Sequence, residues 1–133
     1  MAGVAFGNCG KHLPHALSYG VSNIASDFRA SDYPVDGPPF VPHGISVIVN
    51  SPAVFRYTTA GAPQRHLQAA QCLSADTRDA APEDAGEIVA GRIIELMRAT
   101  GMPNGLAGIG LGPSDTGALA DSAIRQGRVI AGQ

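Results

Sequence analysis

Residues 82–103, PEDAGEIVAGRIIELMRATGMP, carry the clearest secondary-structure signal in the chain. They begin with a proline and two acidic residues, a typical helix start, because a first turn tolerates proline and its positive end favours carboxylates. Gly101 and Pro103 provide a stop signal. Between these limits, large apolar residues recur every three or four positions and so share one helical face: Ile88, Val89, Ile93, Leu96 and Met97. The segment therefore predicts an amphipathic helix.

Four other segments are also predicted to contain helices. They are Ala2–Leu17, His43–Thr58, a segment that begins at Pro63, and Pro113–Gln126. Pro14 should end or kink the first of these helices, and Pro52 should kink the second. Residues 20–42 are predicted to form a long loop, and the glycine-rich residues 105–112 a loop that packs through small residues. No segment alternates between apolar and polar residues as a half-buried strand does. We therefore predict an all-α fold, a single helical domain over residues 1–133.

The composition is that of a globular domain without a strong surface charge. Of its 133 residues, 44% are apolar and 15% are charged, and the formal net charge is -2. This balance offers no electrostatic reason to expect nucleic acid or an anionic membrane as a partner. The longest apolar run, residues 45–49, is far too short to span a bilayer. Cys9 and Cys72 show no zinc-finger or disulfide pattern, so both are predicted to be reduced and half-buried.

Two of the four histidines directly follow a proline, in Pro14-His15 and Pro42-His43. An imidazole held by stiff backbone at a helix break suits metal binding, because its geometry is set before the metal arrives. Two histidines are an incomplete zinc or iron site, so further ligands would come from outside the chain or from Asp27, Asp32 or Asp36. The alternative is that His12 and His15 are ordinary, partly exposed residues at a helix end.

His66 and Tyr19 have plainer interpretations. His66 is predicted to be a surface histidine of the helix that begins at Pro63. Tyr19 lies four residues after His15, where its phenol could reach the same site. A buried tyrosine with a structural role is the more common outcome for such a residue.

Several motifs follow one another in a characteristic order: Gly3-Val-Ala-Phe-Gly-Asn-Cys-Gly10, Leu13-Pro-His-Ala-Leu17, Asp32-Tyr-Pro-Val-Asp36, Val41-Pro-His-Gly44, Ser51-Pro-Ala-Val-Phe55, Arg65-His-Leu67, Ala75-Asp-Thr-Arg78 and Glu83-Asp-Ala-Gly86. Together they resemble the iron-containing (group III) alcohol dehydrogenases. Within that family they are most similar to the branch of the hydroxyacid-oxoacid transhydrogenases. The resemblance extends over nearly the whole chain.

This resemblance implies the C-terminal helical domain of the dehydroquinate synthase-like fold, incomplete at both ends, without the family's Rossmann-like nicotinamide-binding domain. It implies that Fe(II) or Zn(II) is bound by His15 and His43 together with an Asp and a His from upstream segments. Phe6 matches an aromatic residue that lines the nicotinamide and substrate pocket. Tyr19 stands where many relatives carry a histidine that helps in proton transfer, and His12 matches a histidine beside the ligands.

The implied activity is hydride transfer between a small hydroxyacid or alcohol and NAD(H) or an oxoacid, with the metal polarising the reacting oxygen. Without the nicotinamide domain, the chain is predicted to be inactive, and to associate with that domain or with itself through exposed apolar helix faces. The alternative is a non-catalytic helical assembly module derived from the family. No secretory signal is found, so the expected compartment is the cytoplasm, or the mitochondrion in a eukaryote.

Overall fold

The computed structural model describes residues 12–33 and 36–126, and these ranges contain six α-helices. In chain order they are α1 (Leu13–Ile24), α2 (His43–Ile48), α3 (Ser51–Thr58), α4 (Pro63–Cys72), α5 (Ala85–Ala99) and α6 (Thr116–Ile124). Short 3-10 helices lie at Thr59–Gly61, Pro82–Asp84, Leu106–Ile109 and Pro113–Asp115. The described residues contain no strand, which confirms the predicted all-α class. None of the helices in these ranges is long and apolar enough to cross a membrane.

The helices pack in two groups that meet at the junction of α2 and α3. In the first group α1 contacts α2 and α6, and in the second α5 contacts α3 and α4. The first core consists of Val21, Ala25, Val41, Ile45, Val49, Ile109, Leu111 and Leu119. The second core consists of Ala70, Val89, Ile93 and Met97. Val49 belongs to the first core while its neighbour Ile48 packs against the second, so the end of α2 connects the two.

The helix predicted over residues 82–103 is confirmed as α5 with a short 3-10 turn before it. The Asp84 carboxylate accepts a hydrogen bond from the backbone N–H of Ala81 at 3.3 Å, which satisfies one donor at the start. At the other end Gly101 has a φ of 67°, and the N–H of Met102 donates to the carbonyl of Met97 at 2.8 Å. This Schellman arrangement satisfies the last carbonyls of the helix and ends it at the glycine.

Pro14 lies in the first turn of a helix, so the prediction that it ends or kinks one is wrong. Pro52 also lies in a first turn, and the interruption predicted at this proline is found just before it. α1 begins one residue before Pro14 and runs on to Ile24, which makes the following loop shorter than predicted. The predicted helix His43–Thr58 is divided in two just before Pro52. A proline fits a first turn because the N–H that it lacks would have no helical acceptor there. Most of the predicted helix Ala2–Leu17 lies outside the described residues.

Two glycines allow neighbouring elements to approach closely. A Cβ atom added at Gly20 in α1 would lie 3.2 Å from Cδ2 of Leu119 in α6. A Cβ atom added at Gly86 in α5 would lie 2.9 Å from Cγ2 of Thr59, in the 3-10 turn after α3. Both distances are shorter than ordinary carbon contacts, so a side chain at either position would force its neighbours to shift.

The glycine-rich residues 105–112 are predicted to form a loop that packs through small residues, but they contain the 3-10 helix Leu106–Ile109 and pack against the first core through large side chains. Ile109 and Leu111 are two of its buried members. A Cβ atom added at Gly108 would lie 3.0 Å from Cβ of Pro103, so the small residues of this run allow tight turns against their neighbours.

Candidate metal centre

His15 and His43, the two predicted metal ligands, lie side by side where α1 and α2 begin. His15 is in the first turn of α1, and His43 is the first residue of α2. These two helices pack against each other, so the imidazole centroids are only 5.5 Å apart, with the ring planes inclined at 54°. His43 is exposed and His15 is half-buried, so the pair can be reached from the surface of the domain.

Two neighbouring imidazoles fit part of a zinc or iron site, because both metals accept imidazole nitrogen and take three or more protein ligands. Within residues 12–33 and 36–126, no group of three or more His, Cys, Asp or Glu side chains is arranged to hold a metal ion. None of the aspartates considered from the sequence therefore completes the site there: Asp27, Asp32 and Asp36. A complete site would need ligands from elsewhere.

Each of the two histidines is followed, three residues later, by a buried serine. The Ser18 hydroxyl donates a hydrogen bond to the backbone carbonyl of His15, and the Ser46 hydroxyl to that of His43, at 2.8 Å in both cases. The serines are 1% and 0% exposed. Neither is among the predicted site residues, although the repeated spacing Pro-His-x-x-Ser, at residues 14–18 and 42–46, is a signal that identifies both.

His12 lies immediately before α1 and is held against a side chain of α3. Its ring stacks on that of Phe55 with the centroids 6.1 Å apart and the planes inclined at 12°. Its carbonyl accepts a hydrogen bond from the N–H of His15 at 2.8 Å. Desolvation, followed by electrostatic repulsion between the protonated rings of His12 and His66, lowers the pKa of His12 below its ordinary value. The surroundings therefore favour the neutral imidazole, which can both donate and accept a proton.

His66 is buried, with 9% of its surface exposed, so the prediction of a surface histidine is wrong. Its Nδ1 lies 2.9 Å from the carbonyl oxygen of Ala62, and its Nε2 lies 3.0 Å from Oγ1 of Thr58. A carbonyl only accepts, so Nδ1 carries a proton. The Thr58 hydroxyl, which is the partner of Nε2, also donates to the carbonyl of Val54 at 3.0 Å. The ring of Phe55 meets His66 edge-on at 5.7 Å. His66 thus supports the aromatic ring on which His12 stacks.

Of the two remaining predicted site residues, the structure describes Tyr19 but not Phe6. The Tyr19 side chain is half-buried and packs, with Leu13 and Leu17, against a small cluster formed by Ala16 and Ala123. This packing gives Tyr19 a structural role, and its part in proton transfer stays a prediction. Phe6, predicted to line the nicotinamide pocket, lies outside the described residues.

The architecture is that of an all-helical domain with two adjacent imidazoles at helix starts. The model of the Fe-containing alcohol dehydrogenase family, C-terminal, matches residues 30–132. The chain belongs to this family. His43 and all the helices from α2 to α6 fall within the matched range, whereas His15 precedes it.

The chain is also similar to curated hydroxyacid-oxoacid transhydrogenases. It is 43% identical over 128 residues to the mitochondrial protein of that name from Homo sapiens and 44% identical to the one from Xenopus laevis, with 96% of this chain and 27% of each relative covered. It is 38% identical over 128 residues to a probable mitochondrial one from Dictyostelium discoideum, of which it covers 23%. The chain therefore spans about a quarter of the length of these relatives. No solved structure matches the chain significantly.

Proposed function

We propose that the chain supplies the metal-binding helical part of an oxidoreductase like the hydroxyacid-oxoacid transhydrogenases. The observation that carries the proposal is the imidazole pair of His15 and His43, with centroids 5.5 Å apart at two adjacent helix starts. Membership of the Fe-containing alcohol dehydrogenase family and the names of the relatives support the class of reaction. The proposed reaction is hydride transfer between a small hydroxyacid or alcohol and a nicotinamide or an oxoacid.

In this proposal His15 and His43 each provide one ring nitrogen to Fe(II) or Zn(II). The other ligands, an Asp and a His, come from outside the described residues. When bound, the ion would supply Lewis-acid stabilisation of negative charge on the reacting oxygen. The contribution of this chain is to hold two donor nitrogens side by side before the metal binds, which reduces the conformational entropy lost on binding.

The nicotinamide, NAD(H), is proposed to be bound mainly by a separate domain, with Phe6 against it. His12 and Tyr19 are proposed to handle a proton near the reacting oxygen. The lowered pKa of His12 supports this role, because a neutral imidazole can accept a proton from an alcohol. The stacking of its ring on Phe55 would hold it in one orientation for that transfer.

We further propose that this chain is inactive on its own and that its partner is the nicotinamide-binding domain or a second copy of itself. Exposed apolar side chains such as Tyr57 and Ile124, which are 80% and 68% exposed, support an association of this kind. Neither nucleic acid nor a membrane is a proposed partner. The names of the relatives place them in mitochondria, and we propose that compartment in a eukaryote and the cytoplasm otherwise.

The metal assignment is tested by calorimetric titration of the chain with zinc. The variants are His15→Ala and His43→Ala, each of which removes one donor. Cys72→Ser is the matched control: Cys72 is a free, exposed thiol rather than the half-buried one predicted, and it could bind zinc independently of the histidines. Each histidine variant should weaken binding by about tenfold or more, in keeping with the usual effect of disturbing a metal site.

The histidine-dependent part of the binding should persist in Cys72→Ser. Unchanged zinc binding in both histidine variants would contradict the metal assignment. It would favour instead the alternative function, a non-catalytic helical assembly module, to which the exposed side chains of Tyr57 and Ile124 also point.

A further inference from the structure

The two helical turns that carry His15 and His43 lack side-chain caps. The residue before α1 is His12 and the residue before α2 is Pro42, and neither caps its helix with a side-chain hydrogen bond. The first backbone N–H groups of a helix have no acceptor within it, so an uncapped start frays easily. Two ligands placed in such turns need another constraint to keep their positions relative to each other.

Both turns have the same two constraints. A proline directly precedes each histidine and restricts the backbone on the N-terminal side. The serine three residues later, Ser18 or Ser46, binds the carbonyl of the histidine through its hydroxyl and so restricts the C-terminal side. Because both serines are almost fully buried, water does not compete for these hydrogen bonds.

In α2 the constraint extends to the rest of the fold. The Nδ2 of Asn50, a buried residue at the α2–α3 junction, donates to the carbonyl of Ser46 at 2.8 Å. α2 has only 6 residues, far fewer than a helix needs to be stable alone. The chain of contacts from Asn50 through Ser46 to His43 therefore connects the exposed histidine to the point where the two cores meet.

A gain in helix stability does not explain why serine occupies positions 18 and 46. Serine is a poorer helix former than alanine, and a hydroxyl that binds a carbonyl of the preceding turn tends to destabilise or bend a helix. A serine at the same place after both histidines thus calls for a local role.

We propose that Ser18 and Ser46 are positioning residues: each holds the backbone of one ligand histidine and thereby sets the mutual placement of the two imidazoles. This inference rests on the proposed function, since the pair needs to be placed accurately only if it binds a metal. Neither serine is expected to touch the metal or a substrate.

The test compares Ser18→Ala and Ser46→Ala with Ser51→Ala. Ser51 is a matched control, because it is 5% exposed and its hydroxyl donates to the carbonyl of Val47, which is not a ligand, at 3.1 Å. Three quantities are measured for each variant: zinc affinity by calorimetry, motion of the histidine ring carbons by nuclear spin relaxation without metal, and stability in urea.

Ser18→Ala and Ser46→Ala should each weaken zinc binding about two- to tenfold, the range that the loss of one hydrogen bond produces. Without metal, the imidazole freed by each substitution should become more mobile. The urea midpoint should be unchanged or higher, because alanine favours the helix. Ser51→Ala should leave zinc affinity and ring motion as in the wild type.

Wild-type zinc affinity and ring motion in both Ser18→Ala and Ser46→Ala would overturn the inference, and so would equal losses in Ser51→Ala. Should Ser46→Ala fail to fold, Ser18→Ala in the longer helix α1 provides the same comparison. If the wild-type chain shows no zinc binding that depends on the histidines, the proposed function fails. The ring motion in the metal-free chain then decides whether the serines position the imidazoles.

Discussion

The packing at Gly86 predicts that two Gly→Ala substitutions in the same helix have different effects on stability. A Cβ atom at Gly86 would lie 2.9 Å from Cγ2 of Thr59 and 3.2 Å from Cα of Arg56. A Cβ atom at Gly91 would meet nothing within 4 Å. Either substitution gains up to about 1 kcal/mol of helix propensity. Only Gly86→Ala also overpacks a helix contact, which costs about 1–3 kcal/mol.

We therefore expect Gly91→Ala to raise the free energy of unfolding and Gly86→Ala to be about 1–3 kcal/mol less stable than Gly91→Ala. Urea unfolding followed by circular dichroism measures this difference, since the chain has no tryptophan to report by fluorescence. Adding Thr59→Ser, which removes the methyl group that lies 2.9 Å away, should restore part of the loss in Gly86→Ala. Equal stability of the two alanine variants would refute this account of the contact between α5 and the end of α3.

Two further predictions concern the histidines that flank Phe55. Thr58→Val should lower the free energy of unfolding by about 1–3 kcal/mol in urea, because the buried Nε2 of His66 loses its hydrogen-bond partner. The exposed control Thr100→Val should change it little, and similar losses in the two variants would contradict the explanation. The lowered pKa of His12 means that the unfolded chain binds a proton there more readily, so stability should fall as the pH drops below 6.5. His12→Gln should reduce this fall in urea unfolding at a series of pH values, and an unchanged pH dependence would show that His12 does not contribute.

Helix signals predict α5 well because its start and stop depend on adjacent residues. Pro82 and the acidic residues after it form the turn that leads into the helix, and Gly101 adopts the positive φ that ends it. The same kind of signal is ambiguous at Pro14. A proline is compatible with the end of one helix or the first turn of the next, and the local sequence does not distinguish the two.

The burial of His66 is harder to predict for a different reason. In the sequence His66 follows Gln64 and Arg65 on a helix rich in polar residues, a pattern typical of an exposed face. Its hydrogen-bond partner Thr58 and its aromatic neighbour Phe55 both belong to α3. They reach His66 because α3 and α4 both pack on α5, and that arrangement depends on residues far along the chain.

The amino-acid sequence is sufficient to establish the helical class of this domain, because helix signals depend on residues that are close neighbours, and to single out His15 and His43, because each directly follows a proline. The sequence does not show that the two imidazoles are 5.5 Å apart, or that Ser18 and Ser46 hold the backbone beneath them. The distance between the imidazoles is set by the packing of α1 against α2, whereas each serine hydrogen bond forms within its own helix. The apolar faces of helices from distant parts of the chain must be buried together, and this burial brings the two Pro-His pairs to one place.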